Sequence, residues 1–201
     1  MIPSSEFPNQ QAYMLFNAGV RAETVNRVLD NIDDMIEEGV EKLYFAISST
    51  GGNVTRGFEL FNFLKAAPLE VTTHNVGDID SIANVIYLAG SKRYSNNNAR
   101  FLMHGVARSM GSADENGIVW ANEKDLTEAL AAVQIDHNRI ARTIAEFSSM
   151  KFEEVRQLIG DTIFTPEQAR EKGLVHEIRA FQQPKGHRLI QIHDSPRKAE
   201  D

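Results

Sequence analysis

A strand, a break and a helix succeed one another three times in the first ninety residues, and that alternation restricts the fold more than any other feature of the chain. Residues 12–17 form an apolar run of strand length, and residues 23–38 carry Val25, Val28, Leu29, Ile32 and Ile36 at helical spacing before Gly39 stops them. Residues 43–48 (Leu-Tyr-Phe-Ala-Ile-Ser) are apolar without alternation, as in a strand covered on both faces. Gly51 and Gly52 then break the chain, and residues 54–66 carry Phe58, Leu60, Phe61 and Leu64 on a helix. Residues 70–76 read as a third strand, ended by Gly77-Asp78, with a helix over 81–89 and another short strand at 101–103. Strands and helices alternating at this spacing predict an α/β fold with a parallel or mixed sheet and crossover helices.

Beyond residue 104 the pattern changes. A Gly/Ser-rich loop spans 105–120, and Asn122 opens a long helix reaching about residue 147. Its stripe of Leu126, Leu130, Val133, Ile140 and Ile144 admits two readings. One is a helix buried in the core; the other is a projecting helix whose stripe a neighbouring subunit covers. A shorter helix is expected over 150–159. Thr165-Pro-Glu-Gln168 carries the capping residues of a further helix start, stopped at Gly173, and a strand is expected over 174–178. Residues 1–181 therefore read as one domain, and 182–201 as a loose polar tail.

Composition removes several function classes. The chain of 201 residues contains no cysteine, which excludes disulfides, thiolate metal sites and a cysteine nucleophile. Twenty-eight acidic against 21 basic residues leave a net charge of −7, with no local basic patch, so nucleic acid is not an expected partner. The most apolar stretch, 82–89, is far short of a membrane span, and the first residues lack a basic and an apolar leader region. A soluble cytoplasmic protein is the expectation. The sequence has no P-loop, no Gly-x-Gly-x-x-Gly, no Gly-x-Ser-x-Gly elbow and no His-Glu-x-x-His, so neither a metal nor another cofactor is expected.

Three places combine a backbone break with a polar group. In Ser48-Ser-Thr-Gly-Gly-Asn-Val54 the paired glycines can expose amide N–H groups to an oxyanion, or simply make a tight strand-to-helix turn. Ser81, after Val76-Gly-Asp-Ile-Asp80, is either an N-cap or a nucleophile held at a helix start. His104 follows the strand at 101–103 and is either structural or a base. Singly these signals are weak; together they acquire meaning.

In order, the segments Ile47-Ser-Ser-Thr-Gly-Gly-Asn-Val54, Gly77-Asp-Ile-Asp-Ser81, Ala99-Arg-Phe-Leu-Met-His104 and Asp161-Thr-Ile-Phe-Thr-Pro-Glu-Gln-Ala169 are present. This set resembles the proteolytic subunit of Clp protease, a serine peptidase of the crotonase-like fold group, over about residues 12–180. The resemblance implies a spiral core of repeated β-β-α units with the helix at 122–147 as a protruding handle. It implies Ser81 as nucleophile, His104 as base, Asp161 as third triad member, and the amides of Gly52 and Ile82 as the oxyanion hole. It further implies a polypeptide substrate, heptameric and possibly stacked rings of identical subunits, and an ATP-driven AAA+ unfoldase as partner. The chain departs from the family pattern at Thr50, where Pro is usual, at Asp78 and Asp80 before the nucleophile, at Gly105-Val106, and at Thr162. A carboxylate beside Ser81 would act on His104 if close, pair with His74, or face solvent. The departures keep an inactive assembly subunit as an alternative, and the double-Gly turn keeps a crotonase-like acyl-CoA enzyme as a more remote one.

Overall fold

The computed structural model describes residues 7–108, 115–160 and 162–194. Strand β1 (Gln11–Asn17), helix α1 (Ala22–Glu37), strand β2 (Lys42–Ser49), helix α2 (Val54–Ala66) and strand β3 (Glu70–Asp80) realise the alternation read from the sequence, with β1, β2 and β3 parallel. Helix α1 buries Val25, Val28, Ile32 and Met35, and α2 buries Phe58, Leu60, Phe61 and Leu64. Each such side chain removed from water contributes about 1.5–3 kcal/mol, and this burial rather than helix propensity holds the layers together.

Gly77-Asp78 does not end the third strand, contrary to expectation. Instead β3 runs through to Asp80, and its register against β2 jumps from Ile47↔Asn75 to Ser49↔Ile79. The extra residues form a bulge around Gly77, where an added Cβ would lie 2.7 Å from the Ser48 Oγ. The bulge lets one strand serve two neighbours. Thr72–Asn75 pair with β4 (Lys92–Ser95), whereas Asp78–Asp80 pair with β5 (Arg100–Met103). The sheet runs β6-β5-β3-β2-β1-β8, where β6 is Thr162–Phe164 and β8 Leu189–His193; β4 and β7 (Glu177–Ile178) branch off the first half of β3. Only the β5–β6 pairing is antiparallel among the described strands.

Two other readings need correction. The helix expected over 81–89 shrinks to α3 (Ala83–Tyr87), too short for a sizeable macrodipole. Within the expected tail, β8 pairs in parallel with β1, from Tyr13↔Leu189 to Asn17↔His193, burying Ile192. The Asp194 carboxylate then accepts the Gly19 N–H at 2.8 Å and pairs with Arg21 at 2.7 Å. Parts of the loop at 105–120 and of the tail lie outside the described residues.

The long helix is α4 (Glu123–Glu146), begun by a reciprocal capping box between Asn122 and Asp125. Its buried residues are Ile140, Ala141 and Ile144, all towards its end, while Leu126 and Leu130 are 55% and 59% exposed. The helix therefore roots its last turns in the core and leaves its first turns uncovered. The rooted end is pinned by Arg93, whose buried guanidinium donates to the carbonyls of Phe147, Gly173 and Leu174 at 2.7–3.0 Å. Helices α5 (Phe152–Leu158) and α6 (Pro166–Glu171) complete the domain, α6 starting with the Thr165/Gln168 capping box.

Candidate active site

The bulge in β3 delivers Ser81 to the end of the strand beside β5. Ser81 takes φ +56, a left-handed conformation that typically costs a non-glycine residue about 1–3 kcal/mol and persists only where its surroundings impose it. Its N–H donates to the Leu102 carbonyl at 2.9 Å. Asn84, buried in α3, donates its side-chain N–H to the carbonyls of Ser81 (3.0 Å) and Leu102 (2.9 Å). The turn at Ser81 is thereby tied to the strand that carries His104. Sequence reading did not single out Asn84, although a polar residue inside Ile82-Ala-Asn-Val-Ile86 was the available signal, since a buried amide needs partners.

The N-cap reading of Ser81 fails, because Ile82 occupies that position with no side-chain cap bond. The Ser81 hydroxyl donates to no group among the described residues and is half-buried. Glycines press the turn from two sides. A Cβ on Gly51, at φ +77, would lie 2.7 Å from both the Asp80 carbonyl oxygen and the Ser81 Cβ. One on Gly57 of α2 would lie 2.2 Å from Ile82, so that helix packs directly on the residue after Ser81.

Gly52, at φ +143, forms an isolated parallel bridge with Val20. The bridge uses the Gly51 carbonyl (from Val20 N–H, 2.7 Å) and the Asn53 N–H (to Val20 O, 2.8 Å), leaving the Gly52 N–H out of it. The Ile82 N–H likewise enters no backbone bond among those described. The amides of Gly52 and Ile82 are thus unspent among the described residues, and such groups can stabilise an oxyanion.

His104 stands just past the end of β5, half-buried, and its Nδ1 lies 2.8 Å from the Gly105 carbonyl oxygen. A carbonyl only accepts, so Nδ1 carries the proton and Nε2 is left as the basic nitrogen. No direct hydrogen bond joins His104 to Ser81. Asp161 lies outside the described residues; its neighbour Thr162 pairs with Met103, where the β5–β6 ladder ends next to His104.

The acidic residues before Ser81 take different positions. Asp78 is half-exposed and pairs with Arg100 Nε at 3.1 Å. Asp80 is 6% exposed; one carboxylate oxygen lies 3.6 Å from Arg100, and the other, Oδ1, is buried without a hydrogen-bond partner among the described residues. Burial raises the Asp80 pKa, while the charges of Arg100 and His104 oppose that rise. The sequence left pairing with His74 open, and the structure excludes it. His74 is buried elsewhere, its Nδ1 accepting from the Tyr44 hydroxyl at 2.6 Å and its Nε2–H donating to the Arg179 carbonyl at 3.1 Å.

Comparison with known proteins places this architecture. The Clp protease family model matches residues 8–182. The chain is 28% identical over 145 residues to the ATP-dependent Clp protease proteolytic subunit 2 of Corynebacterium efficiens, covering 71% of this chain and 68% of that one. It is 26% identical over 172 residues to the proteolytic subunit 1 of Streptomyces avermitilis, covering 84% and 75%. Among solved structures, a point mutant of Listeria monocytogenes ClpP1 superposes with a TM-score of 0.72 at 21% identity, covering 88% of this chain and 94% of that one, which shows a shared fold.

Proposed function

The chain belongs to the Clp protease family, and from that premise we propose that it is a serine endopeptidase that cleaves unfolded proteins or peptides through an acyl-enzyme on Ser81. In this reading the Ser81 Oγ attacks the scissile carbonyl as its proton passes to His104 Nε2. The imidazolium then gives that proton to the departing amine, and water repeats the sequence to release the acyl group. Asp161 is assigned as the third triad member, a placement supported by the β5–β6 ladder ending at Met103–Thr162. The amides of Gly52 and Ile82 receive the developing oxyanion. Acyl transfer of this kind calls for no cofactor.

The observation that carries the reading is the unspent Ser81 hydroxyl, held at a strained φ beside two unspent amides and tied to the His104 strand. The missing Ser81–His104 bond is compatible with it, since catalytic hydrogen bonds of free enzymes are often long and tighten with substrate. The uncovered Leu126 and Leu130 on α4 support a homo-oligomer, in keeping with stacked heptameric rings fed by an AAA+ unfoldase in the cytoplasm. No helix among the described residues is long and apolar enough to cross a membrane.

The test is labelling of the assembled protein by a fluorophosphonate, with hydrolysis of a fluorogenic peptide alongside. Labelling at Ser81 is expected, with Ser81→Ala abolishing it and lowering hydrolysis by at least about 10³-fold. A wild-type assembly that neither labels nor hydrolyses, indistinguishable from Ser81→Ala, would instead identify an inactive assembly subunit.

A further inference from the structure

Asp80 is a buried carboxylate placed directly before the proposed nucleophile, and nothing in the triad uses it. Its position follows from the sheet. Asp78 pairs in register with Arg100 and Asp80 with Leu102, so these four residues share one face of the β3–β5 pair. His104 follows just past the end of β5, two residues beyond Leu102, and its charge acts on Asp80. The Arg100 guanidinium confirms the common face, reaching Asp78 at 3.1 Å and Asp80 at 3.6 Å. The opposite face at Ile79 is fully buried among core side chains.

A carboxylate so enclosed ordinarily has both oxygens bonded, because an unpaired buried charge is among the costliest features a fold can keep. Among the described residues Oδ1 has no hydrogen-bond partner, and the 3.6 Å approach of Arg100 is long for a strong ion pair. Asp80 therefore retains charge that its own neighbours do not neutralise. Among the described residues the charged groups that act on it are Arg100, Asp78 and His104, and the His104 charge acts on it favourably.

We propose that Asp80 is a positioning residue for His104, its unpartnered carboxylate supplying the negative charge that stabilises the imidazolium formed when Ser81 loses its proton. The Gly105 carbonyl and Asp80 then divide the labour. The carbonyl holds Nδ1–H and sets the tautomer, but as a neutral dipole it does little for a full positive charge. Asp80 adds its negative charge through space to that of the assigned third triad member, Asp161, and Arg100, joined to both Asp78 and Asp80, moderates it. The catalytic consequence rests on the peptidase reading above; the electrostatic coupling is measurable without it.

The experiment measures the pKa of His104 in the assembled Ser81→Ala protein, by histidine C2-hydrogen exchange against pH with mass-spectrometric readout, so that activity plays no part. Asp80→Asn, nearly isosteric, is expected to lower the His104 midpoint by about 0.5–1 pH unit. Arg100→Gln, at a partly exposed side chain, is expected to raise it, which keeps the proposal decidable if Asp80→Asn does not fold. In protein active towards peptide, Asp80→Asn should also move the acidic limb of kcat/KM to lower pH and reduce its plateau about tenfold. A His104 midpoint unmoved by both substitutions overturns the proposal even where Ser81 labels normally. Shifts in the two expected directions in a protein that never labels would uphold the coupling and refute only the peptidase.

Discussion

His74 and Asp80 lie on the same strand, both are buried and both can ionise, yet the fold treats them oppositely. His74 is satisfied at both ring nitrogens: Tyr44 donates to Nδ1, and Nε2–H reaches the Arg179 carbonyl with the Asn96 side-chain oxygen also at 3.1 Å. Tyr44, Tyr94 and Phe181 pack around the ring at centroid distances of 5.8–6.0 Å. Burial pushes its pKa down to about 4, so at neutral pH it is an uncharged hydrogen-bonding member of the core. Asp80 has one oxygen orphaned and the other loosely paired. A satisfied buried group serves the fold, whereas an unsatisfied one beside a strained serine costs stability and is explained only by use. The bulge at Gly77 separates the two regimes, with β4 flanking His74 and β5 flanking Asp80.

The comparison is broken most severely at the catalytic end by Gly51→Ala. The new Cβ would meet the Asp80 carbonyl and the Ser81 Cβ at 2.7 Å from a backbone at φ +77, so the turn at Ser81 must move. Because a displacement of about 1 Å can cost on the order of 10²-fold, fluorophosphonate labelling of Ser81 should slow by about 10²-fold or more. Stability should fall by about 1–3 kcal/mol. Labelling at the wild-type rate would mean that the close packing of Gly51 on the turn has no part in the chemistry.

At the other end, His74→Leu should do the reverse, leaving labelling within about a factor of two while destabilising the chain by about 2–4 kcal/mol, because the Tyr44 hydroxyl and Arg179 carbonyl lose their partner. The pH dependence carries the same information. An unfolded His74 takes up its proton near pH 6.5, but the folded one resists until about 4. Between these values the unfolded state binds the extra proton, so stability is full above about pH 6.5 and declines as pH falls towards 4. Denaturant midpoints of wild type and His74→Leu should converge over that interval. A constant separation would show that His74 titrates normally and is not the satisfied partner described here.

How much of this was legible beforehand follows from how local each feature is. Helix α2 was readable because its apolar stripe and its preceding glycines are local signals. Both ends of α4 were readable from Asn122 and Phe147, although its projection from the core required knowing what it lacks as a neighbour. The bulge at Gly77 was misread as a stop because a glycine interrupts a strand and deforms one equally well, and only the register against β2 distinguishes the two. Strand β8 was hidden by its polar flanks, its pairing with β1 being set by residues at the far end of the chain. At the site, Ser81, His104 and the double-Gly turn were legible as a set. The engagement of Asn84, Arg100 and the Gly105 carbonyl was not, since each depends on which strand lies beside which.

The smallest effect sharpens the contrast most, because its sign is opposite to the usual one. Asp80 has its pKa raised by burial, so between its unfolded and folded values the native state holds the extra proton. Its contribution is therefore present at low pH and is lost as pH rises through the folded value, beyond which the ionised group is a net burden. His74 loses stability on acidification, and Asp80 loses it on alkalinisation. Asp80→Asn removes the buried charge with little change of shape and should raise Tm at pH 7 by about 1–3 °C, while impairing the proton transfer assigned to His104. The gain should shrink as pH is lowered through the titration of the wild-type carboxyl, whose neutral form matches the amide in charge. Scanning calorimetry of the two proteins at pH 7 and at pH 4 measures this directly. A fall in Tm at pH 7 would place Asp80 with His74 among the groups that hold the fold together, and would dissolve the division between the two halves of β3.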